Sequence, residues 1–162
     1  MLWVFGFLWC FLIGSVTGVY LADVPTNIYL TDTYFVVAHF HYTIVGGMIF
    51  GLFAAFYYWF PKLTGRVFPE AWAKAHFWLF FLGFNATFLP MFVLGIEGMR
   101  RRVADYPPEL GPLNLWISGS AYVIGSSMLI FAIGAVRALR SRAVAEANPW
   151  RAWTLEWQVG SL

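Results

Sequence analysis

The stretch TDTYFVVAHFHYTIVGG, residues 31–47, sets His39 and His41 two positions apart inside a strongly apolar run. Imidazole is expensive in such surroundings, so each ring is either an interhelical hydrogen-bonding group or a ligand for something bound. On a helix this spacing means about 200° of rotation and ~3 Å of rise, so the two rings leave from nearly opposite faces. An unbroken helix cannot easily chelate one metal that way, unlike the i, i+4 pair of a zinc protease motif. The spacing suits one helix wedged between two separate metal centres. Imidazole is a common axial ligand of haem iron, and Phe35, Val36, Val37 and Ile44 offer the broad apolar walls that haem needs. Two irons held on either side would stand on the order of 14 Å apart, with Phe40 between them. Gly46, Gly47 and Gly51 allow close approach of a macrocycle or, with at least equal weight, of a neighbouring helix.

Arg100, Arg101 and Arg102 are a second candidate group. Three consecutive guanidinium groups are either a solvated charge run, with weak pairing to Asp105 or Glu109, or a receptor for an anion. Haem carries two propionates, and arginine recognises carboxylates in a bidentate fashion. Asp32 lies seven residues before His39, two helical turns away, at the level such propionates would occupy. Its carboxylate is a candidate for a hard cation with water, or for a helix N-cap.

These groups need elements to position them, and the composition says which. With 60% hydrophobic and 11% charged residues in 162, the chain is far from the roughly one-quarter charged average of soluble domains and reads as an integral membrane protein. Positions free of Asp, Glu, Lys and Arg form four runs, 1–22, 33–61, 75–96 and 110–136, each near or above the roughly 20 residues of a spanning helix. None shows the short alternating strands of a β-barrel. An all-α fold of four transmembrane helices follows, with aromatic residues such as Trp3, Trp59 and Trp116 near the run ends as membrane anchors. Cys10, the single cysteine, lies in the first run as a small buried apolar group. The first run lacks a basic leader or cleavage signal and reads as a permanent helix. No nucleic-acid partner is expected.

Between the runs, 23–32 reads as a short external loop and 61–70 as a turn, with Pro61 closing one helix and Pro69-Glu70 opening the next. Residues 97–112 form a longer loop stiffened by Pro107, Pro108 and Pro112. Lys62, Arg66, Lys74, Arg137, Arg140, Arg142 and Arg151 share one side, which the positive-inside rule makes cytoplasmic. The arginine triplet is on the other side. The chain thus divides into a four-helix portion, 1–140, and a cytoplasmic or interfacial C-terminal tail, 141–162.

The segments DTYFVVAHFHY, WFPKLTGR, FNATFLP, LGIEGMRRRVADYP and NPWRAWTLEW resemble the C-terminal third of subunit I of haem–copper cytochrome c oxidases, nearly end to end. The resemblance implies that the four runs are the ninth to twelfth helices of a twelve-helix bundle. It implies His39 as ligand of the high-spin haem a3 iron, His41 as one ligand of the low-spin haem a iron, and Phe40 between the haems. Arg101 and Arg102 match the propionate-binding pair, with Arg100 where the family commonly has proline. Asp32 matches one residue of an outer magnesium site whose usual histidine is Thr31 here, and Asn27 stands where an aspartate is frequent.

What the resemblance implies for function is reduction of O2 to water with electrons from cytochrome c, coupled to proton pumping, in a bacterial cytoplasmic membrane. Copper B, whose ligands lie in earlier helices, the remaining helices of subunit I, subunits II and III and cytochrome c are the implied partners, together with membrane lipid. No catalytic residue beyond haem ligation is expected in this chain, and His76 is expected to be structural or interfacial. Met1 falls where the family is already inside a helix, so a fragment, split gene or truncated frame is expected. A quinol oxidase, a nitric oxide reductase-like subunit, and a non-catalytic assembly protein are the rivals.

Overall fold

Inside a hydrocarbon layer a backbone N–H or C=O has no partner but another backbone group, so long apolar runs fold as helices. The computed structural model describes residues 1–158. Its helices are α1 (Leu2–Ala22), α2 (Val24–Leu30), α3 (Tyr34–Ile44), α4 (Phe50–Thr64), α5 (Glu70–Ile96) and α6 (Gly111–Arg140). A π-helical segment, Val45–Ile49, joins α3 to α4. Four segments, Leu2–Ala22, Tyr34–Thr64, Glu70–Ile96 and Pro108–Arg140, are therefore long and apolar enough to cross a membrane. The expected all-α, four-span architecture is the observed one.

Two local expectations give way. Residues 23–32 are mostly helix α2, not loop, because Asp23 caps it: its Oδ2 accepts from the Thr26 backbone N–H at 3.2 Å and the Thr26 hydroxyl at 2.6 Å. Pro25 sits in the first turn, where its missing N–H costs nothing. Pro61 does not end its helix either. The chain stays helical to Thr64 and stops at Gly65, whose φ of 65° is the left-handed cap that glycine tolerates best. Pro69 does stand at the N-cap of α5, with Glu70 as its first residue.

α5 runs between α3 on one side and α6 on the other, while α1 packs on α3 and α4. Trp3, Cys10, Tyr42, Phe50, Phe77, Phe80 and Phe84 form the main core. One polar link crosses it: the Tyr42 hydroxyl donates to Asn85 Oδ1 at 2.9 Å, and Asn85 Nδ2 donates to the Phe81 carbonyl at 2.8 Å. At Gly95 the α5 backbone lies so close to α3 that a Cβ there would overlap the backbone nitrogen of Phe35. His76 is fully buried, not interfacial, with Nδ1 2.9 Å from the Tyr57 hydroxyl and the rings of Trp3, Phe53 and Phe131 around it.

The loops gather at two ends. Thr33 pairs with Arg100 at one, and Arg66 with Val144 at the other. There the tail folds back on α4: Ala145 N–H donates to the Gly65 carbonyl at 3.0 Å and Trp150 Nε1 to the Tyr58 carbonyl at 2.9 Å. The last four positions of the expected tail, 159–162, lie outside the described residues.

Candidate functional site

Thr33 starts α3 by accepting the Phe35 N–H on its hydroxyl oxygen at 3.2 Å, which fixes the register of the two histidines that follow. Asp32 is consequently not the N-cap. His39 and His41 are both half-buried, and they reach different neighbours. His39 faces α1, with Nδ1 3.1 Å from the Thr17 hydroxyl. His41 faces α5, its ring lying 4.1 Å from that of Phe88 and 19° from parallel. Phe40 stacks on His41 from within α3 at 4.4 Å.

The hydrogen bonds decide which nitrogen of each ring is open. His41 Nδ1 lies 2.8 Å from the Val37 carbonyl. A carbonyl only accepts, so Nδ1 carries the proton and Nε2 of the neutral ring keeps its lone pair. Thr17 has one hydroxyl proton, directed at the Ile13 and Gly14 carbonyls at 2.9 and 3.0 Å. With that proton on either carbonyl, its oxygen accepts from His39 Nδ1–H, which again leaves Nε2 for a metal. This is the arrangement of a metal-ligating imidazole, whose second nitrogen is held by an outer acceptor. Among the described residues, no three His, Cys, Asp or Glu side chains converge as a cluster for one ion, so each imidazole offers a single ligand. One open imidazole nitrogen is the donor that an axially ligated haem takes.

The apolar walls differ from expectation. Phe35 packs into the core against Phe92, ring centroids 4.8 Å apart, and is only 6% exposed, so it is not available to a macrocycle. Ile44 remains exposed.

Two turns above His39, the 99–102 loop is stitched to the start of α3. Tyr34 N–H donates to the Met99 carbonyl at 3.0 Å, and Arg101 N–H to the Asp32 carbonyl at 2.9 Å. Arg101 Nε donates to Asp32 Oδ1 at 2.9 Å, with Nη2 on the same oxygen. Asp32, rather than Asp105 or Glu109, is thus the ion-pair partner of the triplet. Asp32 and Arg102 take φ of 60° and 63°, a left-handed conformation uncommon for residues other than glycine. Arg102 itself is exposed.

Thr17 and Phe88 are not among the residues that the sequence singles out. The small-residue run GSVTG, 14–18, was the available signal for Thr17, since it lets α1 approach α3 closely. Phe88 is one of seventeen phenylalanines and carried no such signal.

Comparison with known proteins finds that residues 1–145 match the family model described as cytochrome c and quinol oxidase polypeptide I. Cytochrome c oxidase subunit 1 of Synechocystis sp. is 50% identical over 99% of this chain, and that of Thermostichus vulcanus is 45% identical over 99%. The same subunit of Cereibacter sphaeroides is 43% identical over 99%. This chain spans 29% of the length of each of these relatives. A solved heme-copper terminal oxidase dimer superposes with a TM-score of 0.73 at 22% identity, over 89% of this chain and 27% of that one, which speaks to fold.

Proposed function

Because the chain belongs to the cytochrome c and quinol oxidase polypeptide I family, we propose that it supplies the helix-borne haem ligands of a respiratory terminal oxidase that reduces O2 to water and pumps protons. In this reading His39 Nε2 ligates the iron of high-spin haem a3, and His41 Nε2 ligates that of low-spin haem a. When bound, the haems supply one-electron chemistry at His41 and oxygen binding and reduction at His39, which side chains alone cannot do.

The protein's part is orientation. Thr17 and the Val37 carbonyl hold the imidazole tautomers, Phe88 lies against the His41 ring, and Phe40 fills the short path between the two ligands. Arg101 and Arg102 receive the propionates, Arg101 through the N–H groups that Asp32 leaves open. The left-handed backbone of Arg102 supports that role, since strain of this kind persists where surrounding structure and function hold it. Asp32 anchors Arg101 and is the one residue here assigned to a magnesium ion, whose remaining ligands come from elsewhere. Copper B likewise takes its ligands from outside this chain.

Residues 1–140 then form the transmembrane portion and 141–162 a cytoplasmic, interfacial tail, in a bacterial cytoplasmic membrane. The remaining helices of subunit I, subunits II and III, lipid and cytochrome c complete the assembly.

The observation that carries this reading is the pair of half-buried imidazoles on one helix, each with Nδ1 held and each facing a different neighbour. Cytochrome c is favoured as donor because the relatives at 43–50% identity are named cytochrome c oxidase. Quinol is the second reading, because the matching family model covers both. Purifying the assembled complex and measuring oxygen uptake separates them: uptake driven by reduced cytochrome c is expected, and uptake driven only by quinol overturns the donor assignment.

A further inference from the structure

We infer that Thr17 is a positioning residue for His39, setting both its tautomer and the electron-donating strength of its Nε2. The inference rests on the reading of His39 as a haem iron ligand. Thr17 Oγ1 is placed between two kinds of partner. Its proton is directed to the Ile13 and Gly14 carbonyls, at 2.9 and 3.0 Å, and its lone pair faces His39 Nδ1 at 3.1 Å. The hydroxyl thus relays the polarity of the α1 backbone to the imidazole. Withdrawing Nδ1–H toward an acceptor gives the ring partial imidazolate character and makes Nε2 a stronger donor.

The next residue on α1 adds a steric restraint. At Gly18 a Cβ would lie 3.2 Å from His39 Cε1, so the ring is backed by the α1 surface and has little freedom to turn away. No such relay serves His41, whose Nδ1–H goes directly to the Val37 carbonyl of its own helix. The two ligands of α3 are therefore tuned by different elements, one from α1 and one from within α3.

The test is the iron–imidazole stretching band of the reduced high-spin haem, read by resonance Raman in the oxidase assembled with this chain. Thr17→Val, which keeps the shape and removes the hydroxyl, is expected to move the band to lower frequency. Thr17→Ser, which retains the hydroxyl, is expected to keep the parent frequency. The low-spin haem absorption, held by His41, reports assembly and stays unchanged in both. Thr17→Ala serves as a second hydroxyl-free variant, read on the fraction that keeps the low-spin band, should valine impair assembly.

An unshifted band in the hydroxyl-free variants overturns the inference. His39→Ala separates this from the underlying assignment. Persistence of the band at the parent frequency in that variant removes His39 as ligand, whatever Thr17 does.

Discussion

Asp32 and Arg101 hold each other twice, once through the backbone, where Arg101 N–H donates to the Asp32 carbonyl at 2.9 Å, and once through their side chains, where Nε meets Oδ1 at 2.9 Å. The pair fastens the loop after α5 to the start of α3, two turns from His39. It turns a charge run that looked solvated into part of a built surface. Of the two side chains, Asp32 is the more exposed, so the ion pair by itself contributes little to stability.

Arg101→Gln is therefore expected to cost no more than about 1 kcal/mol in a melting experiment, the range of exposed ion pairs. The same substitution is expected to shift a haem midpoint potential in redox titration, because a cation beside a propionate is lost. An unchanged potential would make Arg101 only a loop anchor.

Arg102 offers the opposite combination. Its φ of 63° costs an L-residue roughly 1–2 kcal/mol, which glycine avoids. Arg102→Gly is expected to leave thermal stability within about 1 kcal/mol of the parent, since relief of strain offsets the looser unfolded chain. It is also expected to weaken haem retention on washing with competing apo-globin. Full retention would argue that the guanidinium faces only water.

Gly95 tests the helix contact that presents both histidines. A methyl group there collides with the Phe35 backbone, which cannot move without shifting α3 itself. Gly95→Ala is expected to destabilise by at least about 3 kcal/mol, the upper range of overpacking. The readout is the yield of haem-loaded complex. A yield equal to the parent's would show that α3 and α5 can separate without consequence.

Much of this was legible because apolar length and imidazole spacing are local properties. The runs around Cys10, His41, Phe84 and Ile124 had to be helices, and two positions on one helix had to diverge. Asp23 and Pro25 spell out the N-cap and first turn of α2, while Pro and Asn together suggest a loop. Pro61 reads as a terminator, whereas the helix stops at the left-handed Gly65 four residues later. Thr17, Phe88 and the Asp32–Arg101 pair were hidden for another reason. They depend on which helices become neighbours, and periodicity within one segment does not carry that information. Phe35 shows the same limit in reverse: an aromatic beside the histidines belongs to the core formed with Phe92.

The central claim is that α3 carries ligands to two different irons, and it is tested most directly by recording haem spectra of the assembled complex with His39→Ala and with His41→Ala. The account predicts that His41→Ala removes the low-spin haem signal while a high-spin haem that binds carbon monoxide remains. It predicts that His39→Ala removes the carbon monoxide-reactive haem while the low-spin signal remains. Retention of both signals in either variant would contradict it.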